Sequence, residues 1–172
     1  DQTRTLTSDS FNQDQPQVCA SDSGGVYVVW RDSRNSATTG DDIYVQYVGP
    51  EGLVRWTANG VQVTNASGAQ QTPFVGKGYW GLVIGWLDDR NGSGNSDVYF
   101  GRVNYSGVVS SLAGSAISTD PSDALEFSCT PSLDGLYFVW RDARTGNYDI
   151  YGDHVSSFGV KEWSIFGTAA VC

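Results

Sequence analysis

The sequence predicts an all-β protein built from three four-stranded antiparallel, propeller-like blades, preceded by one surplus strand. Three observations predict it: a motif that recurs three times, four short strand signals in each recurrence, and no window with a sustained 3.6-residue apolar period. The first copy reads Val28-Val29-Trp30-Arg31-Asp32-Ser33-Arg34, a polar loop, then Asp42-Ile43-Tyr44. The second reads Ile84-Gly85-Trp86-Leu87-Asp88-Asp89-Arg90, a loop, then Asp97-Val98-Tyr99. The third reads Phe138-Val139-Trp140-Arg141-Asp142-Ala143-Arg144, a shorter loop, then Asp149-Ile150-Tyr151. The Trp-to-Trp spacings are 56 and 54 residues, and Gly52, Gly107 and Gly159 each follow the motif Tyr by eight. The repeats run over about 17–67, 68–122 and 123–172, with 1–16 set apart as an N-terminal strand segment.

In the first repeat the strand signals are Gln17 to Ser21, Val26 to Asp32, Asp42 to Val48 and Leu53 through Thr64. Gly24-Gly25, the stretch Asn35 to Gly40, Gly49-Pro50-Glu51-Gly52 and Asn59-Gly60 separate them, as turn residues do. The runs Val26 to Trp30, Leu82 to Trp86 and Leu136 to Trp140 are apolar at successive positions, which marks strands buried on both faces. Aligned by repeat, Thr3 to Asp9 fills the slot of Val61 to Ser67, and Thr168 to Cys172 fills that slot after the third repeat. The N-terminal segment is therefore one strand too many.

Trp, Asp and Arg recur at spacing two: Trp30, Asp32, Arg34; Trp86, Asp88, Arg90; Trp140, Asp142, Arg144. Alternation along a strand puts each set on one face, where the carboxylate can pair with the guanidinium beside the ring. The second acids, Asp42, Asp97 and Asp149, return on the neighbouring strand and are expected to join that network. A pair present in every repeat is read as a structural staple rather than three active sites.

At these residues the sequence resembles the secreted bacterial propeller-like repeats of the pattern W-x-D-x-R-x-G, a short loop, D-I-Y, then G and W. The segment Arg144-Thr145-Gly146-Asn147-Tyr148-Asp149-Ile150-Tyr151, between Trp140 and Trp163, matches best. The second repeat departs from it, with Leu87 in place of Arg and Ser111 in place of the late Trp. The resemblance covers the chain from Gln17 onward. It implies non-catalytic blades of larger extracellular or cell-surface proteins. Ser21-Asp22-Ser23-Gly24-Gly25 is similar to the start of a sialidase Asp-box but lacks the Thr-Trp that completes it, so no sialidase residue is carried over.

Composition narrows the function. The net charge is -9, and Lys77 and Lys161 are the only lysines, so nucleic acid is excluded as a partner. No apolar run approaches the roughly 18 residues of a membrane helix, so membrane insertion is not expected. A chain that starts at Asp1 and contains no Met is expected to be a mature or processed product. The three cysteines, Cys19, Cys129 and Cys172, lack zinc-site spacing. In a secreted chain the odd count points to one intramolecular bridge plus one free or intermolecular thiol, with Cys172 best placed to reach another chain. Three buried thiols in a reducing compartment are the alternative.

Candidate chemistry is sparse. A Ser–His pair would need His154, and no nucleophile elbow exists; a partly exposed strand His is the simpler reading. Asp41, Asp88, Asp89, Asp153 and Glu126 offer carboxylates for glycoside hydrolysis, but nothing selects a pair. No cofactor is expected. Asp41-Asp42 and the loop Asn91 to Asp97 carry oxygen ligands for Ca2+, or form ordinary polar hairpins. Asn65, Asn91 and Asn104 head N-x-S sequons and are glycosylation candidates. Tyr79 and Trp80, between glycines, form either a sugar-stacking platform or a packing contact with a neighbouring blade or chain.

Three blades do not close a ring, for which about four to eight are needed. Two open blade edges then remain, each able to template another chain. The expected function is a non-catalytic extracellular structural protein. It would assemble head-to-tail by β-strand addition, as a homo-oligomer or homopolymer, into a filament or a closed multi-chain propeller. The alternative is a lectin-like propeller module that binds glycans.

Overall fold

The structure, a computed structural model, describes residues 3–92 and 94–163. Among these residues there is no helix, and eleven strands form three antiparallel sheets. The first sheet holds β1 (Gln13–Ala20), β2 (Val26–Asp32), β3 (Asp42–Val48) and β4 (Val61–Gln62), in that order. The second holds β5 (Gln70–Lys77), β6 (Leu82–Asp88), β7 (Asp97–Val103) and β8 (Ser115–Ala116). The third holds β9 (Leu125–Ser132), β10 (Gly135–Asp142) and β11 (Asp149–Ser156). None of the sheets is closed.

The register repeats as the sequence does. Trp30 lies opposite Tyr44, Trp86 opposite Tyr99 and Trp140 opposite Tyr151. The first strands β1, β5 and β9 lie side by side, so the sheets fan out from a shared line. Alternation along β2 sends Tyr27 and Val29 into a core shared with the second sheet, and Val28 and Trp30 to the opposite face. β6 does the same: Ile84 and Trp86 face the first sheet, and Val83 faces the third. Each motif Trp thus points toward the preceding sheet. The fit is close enough to require glycine at two kinds of place. A Cβ on Gly85 would strike the Phe138 ring of the next sheet, and one on Gly60, at φ 88°, would strike the Trp30 ring.

Several expectations change. β1 begins at Gln13 rather than Gln17, and the expected fourth strand over Leu53 to Thr64 is reduced to Val61–Gln62, with Val54 making a lone bridge to Val48. Within that span the Arg55 amide donates to Tyr47 O, and the turn closed by Gly60 N on Thr57 O precedes the short strand. The third sheet shows three strands, and the segment expected to supply its fourth, Thr168 to Cys172, lies outside the described residues. The surplus N-terminal strand is not a strand: residues 3–12 pair with no ladder of this chain. The both-face burial expected of all three central strands holds for β6 over Leu82 to Trp86 and for β2 over Tyr27 to Trp30 but not at Val26, and fails on one face of β10, where Tyr137 and Val139 are open to solvent.

Candidate assembly interface

The staple residues take the same geometry in each sheet. Asp32 receives Trp30 Nε1 at 2.8 Å and Arg34 Nε and Nη2 at 2.8 and 2.5 Å. Asp88 receives Trp86 Nε1 at 2.8 Å and Arg90 at 2.8 and 2.6 Å. Asp142 receives Trp140 Nε1 and Arg144 Nε, both at 2.9 Å. The strand ends at the Asp, and its Oδ1 also caps the amide two residues on, which turns the Arg back over the ring of Tyr44, Tyr99 or Tyr151 at 3.9–4.0 Å. Burial pushes the Asp32 and Asp142 carboxyls up, but the Arg and Trp bonds outweigh it and hold both below the ordinary value.

Asp42, Asp97 and Asp149 make no bond to the staple Arg. Asp42 Oδ2 is held by Asn35, Thr39 and Gln62, Asp97 by Asn91, and Asp149 by Thr145. These acids tie down their own hairpin loops. Burial raises the carboxyls of Asp42 and Asp97, and the charge of Asp32 or Asp88 across the ladder adds to it. Of the side chains offered as Ca2+ ligands, Asp42, Asn91 and Asp97 are engaged within their loops and Asp41 pairs with Arg31; among the described residues no three His, Cys, Asp or Glu side chains converge on one point.

The expected intramolecular disulfide is not formed between Cys19 and Cys129, which are both free thiols. Cys19 packs between the first and second sheets and Cys129 between the second and third, so a whole sheet separates them. Burial raises both thiols, Cys129 well above its usual value. Cys172 lies outside the described residues. All three sequon asparagines are exposed; Asn91 donates to Asp97, and Asn104 Oδ1 accepts the amides of Ser106 and Val108.

His154 is buried rather than partly exposed, its ring against Tyr137, and it enters a chain that sequence inspection missed. Its Nε2 lies 2.8 Å from Ser132 Oγ and its Nδ1 lies 2.8 Å from Glu162 Oε2. Ser132 Oγ also accepts the Asp134 amide at 3.1 Å, which directs its proton toward Nε2 and leaves Nδ1–H for Glu162. The order is that of a nucleophile, base and acid, but the position has a counterpart. In the first sheet Tyr47, equivalent to His154, ties its hydroxyl to Ser23 Oγ at 2.6 Å. Both are strand-end side chains that hold a hairpin turn.

Tyr79 and Trp80 are 79% and 64% exposed, with Trp80 5.7 Å from the Phe158 ring. Their amides are tied to Asp134 Oδ1 and Ser157 Oγ of the third sheet at 3.0 and 3.4 Å. The rings therefore stay in solvent while the turn is fixed. A cleft of about 160 Å³ is lined by Ser21, Asp22, Ser23, Tyr27, Lys77 and Tyr105. Lys77 pairs with Asp22, and Tyr105 donates to Gly78 O. Its lining comes from two sheets, so no local motif announces it.

The two end faces of the stack stand apart from everything inside it. On the third sheet Tyr137, Val139 and Ile150 are 38%, 40% and 45% exposed. Their counterparts Tyr27, Val29 and Ile43 are 6%, 0% and 0% exposed, covered by the second sheet. On the first sheet Val18 and Val26 are 66% and 37% exposed, whereas their counterparts Val75 and Leu82 are 5% and 1%. The same positions are core in the interior and surface at the ends.

The outer part of the first sheet's end face is covered by the N-terminal segment. Leu6 packs on Val28, Trp30, Tyr44 and Val48, and the Ser8 amide donates to Asn59 Oδ1 at 3.0 Å. Leu6 precedes Gln13 by seven residues, as Val63 precedes Gln70 and Ile117 precedes Ala124. Val63 packs in the Trp86 cluster and Ile117 on the Trp140 cluster. The structural register therefore sets Arg4 against Val61, one residue from the alignment by sequence. Comparison with protein-family models, with curated proteins and with solved structures finds no match.

Proposed function

We propose that this chain is a non-catalytic extracellular structural module that associates head-to-tail, the end face of its third sheet receiving the first sheet of a second copy as the next blade of a propeller-like stack. The observation that carries this is the exposure of Tyr137, Val139 and Ile150 at positions that the first and second sheets bury. Apolar surface of this kind is stabilised by removal from water at roughly 25 cal/mol per Å². Both faces belong to one chain and differ from each other, so the contact is heterologous and yields a ring or a filament. Val139→Arg puts a charge at the centre of one face without touching the core. Sedimentation velocity should show concentration-dependent association of the parent and a monomer for the variant. A parent that stays monomeric at all concentrations, or a variant that associates unchanged, sinks the reading.

A second reading, glycan binding, is favoured by the exposed rings of Tyr79 and Trp80 and by a separate cleft rich in hydroxyls. Rings left in solvent on a fixed turn suit stacking on a sugar face. A melting temperature raised by monosaccharides in the parent, and not in Trp80→Ala, would support it; no shift with any sugar would remove it.

A further inference from the structure

We infer that Arg4 and Thr5 of one copy form the fourth strand of the third sheet of the copy before it, with Thr5 opposite Tyr151 and Arg4 opposite Gly152. This rests on the head-to-tail reading and adds its hydrogen-bonded register.

The register follows from the two complete sheets. In the first, β4 pairs Gln62 with Tyr44 and Val61 with Val45. In the second, β8 pairs Ala116 with Tyr99 and Ser115 with Phe100. In both, the paired dipeptide is followed at once by the apolar residue, Val63 or Ile117, that packs with the Trp cluster of the next sheet. The strand edge and the Trp cluster are thus served by three consecutive residues. Leu6 already occupies the apolar position against Trp30. The two residues before it, Arg4 and Thr5, then stand where a preceding sheet would present its third strand. Equivalence with Tyr44 and Tyr99 makes Tyr151 of β11 the partner of Thr5, and Gly152 the partner of Arg4.

Among the described residues nothing has to rearrange for this pairing. The Leu6 anchor holds the donor residues beside the first sheet, and the same docking that buries Tyr137, Val139 and Ile150 brings β11 of the preceding copy alongside them. Backbone pairing at an edge gives affinity independent of side-chain identity, which suits the polar Arg4-Thr5 pair. The competing occupant of the β11 edge is the segment around Thr168 of the same chain.

The test is a photo-crosslink. Benzoylphenylalanine replaces Thr5 in 15N-labelled protein, which is mixed with unlabelled wild-type protein under reducing conditions and irradiated. The expected product joins a labelled N-terminal peptide to an unlabelled peptide containing Tyr151 to Asp153. Arg4→Pro, which removes the ladder donor at the position of Val61, should weaken association about tenfold while Leu6 still packs. Crosslinks confined to one isotopic copy, or landing away from β11, overturn the strand assignment. If association and its loss in Val139→Arg persist in that case, face stacking stands and strand donation alone falls. If the parent never associates, both fall.

Discussion

At the scale of single residues the protein is held by buried charge placed against aromatic rings. Trp140 is nearly fully buried, and its ring nitrogen completes the coordination of Asp142. Trp140→Ala should cost about 3–5 kcal/mol in urea unfolding, since it leaves a cavity and frees a buried acceptor. A loss under about 1 kcal/mol would show that the staple contributes little. The acids also set a pH dependence. Asp32 and Asp142 lie below the ordinary Asp value of 3.8 in the folded state, so their stabilisation is present above that value and is lost as pH falls below it. Asp42 and Asp97 are raised, so the native state binds more protons than the unfolded chain, and stability declines as pH rises from 3.8 through their folded values. Asp42 Oδ1 is buried without a hydrogen-bond partner, consistent with a carboxyl that resists ionisation. Asp42→Asn should flatten the decline on the neutral side and leave the acid limb unchanged. Melting curves from pH 3 to 7 check it, and an unaltered profile would refute the assignment.

At the scale of the element, each first strand carries one defect at the same place. Gln15, Thr72 and Glu126 have φ of 51°, 54° and 50°, and the ladder slips there in all three sheets. The bulge re-aims the strand so that β1, β5 and β9 can lie side by side. A β-branched residue in the left-handed region costs roughly 1–2 kcal/mol. Thr72→Gly should therefore be neutral or stabilising by up to about 1 kcal/mol, because the Thr72 amide keeps its bond to Gln15 Oε1. Gly at the neighbouring Phe74, which stacks edge-on against Phe127, should destabilise. The reverse ranking would mean that the bulge is not strained. None of these three residues looks like a bulge in the sequence; only the repetition of the φ values reveals the shared device.

At the scale of the whole molecule, the stack ends in two apolar faces on a chain of net charge -9. Stacking two copies opposes like charges while burying aliphatic surface. Salt screens the first and spares the second, so association should strengthen from low to physiological ionic strength. Sedimentation at the two salt levels measures it, and dissociation by added salt would point to ion pairs instead of the Tyr137, Val139 and Ile150 face.

The sequence by itself determined the repeat, the β class and the strands that carry Trp30, Trp86 and Trp140, because those features are periodic and local. The Trp–Asp–Arg geometry was legible for the same reason, since all three residues lie within five positions of one strand and its turn. Only the tertiary structure decided what the second acids do, which cysteines face which sheet, and that His154 meets Ser132 and Glu162. It also decided that Val139 is surface where Val29 is core. The two valines have the same local sequence role, and their difference comes from whether another sheet follows, which no pattern within a repeat encodes.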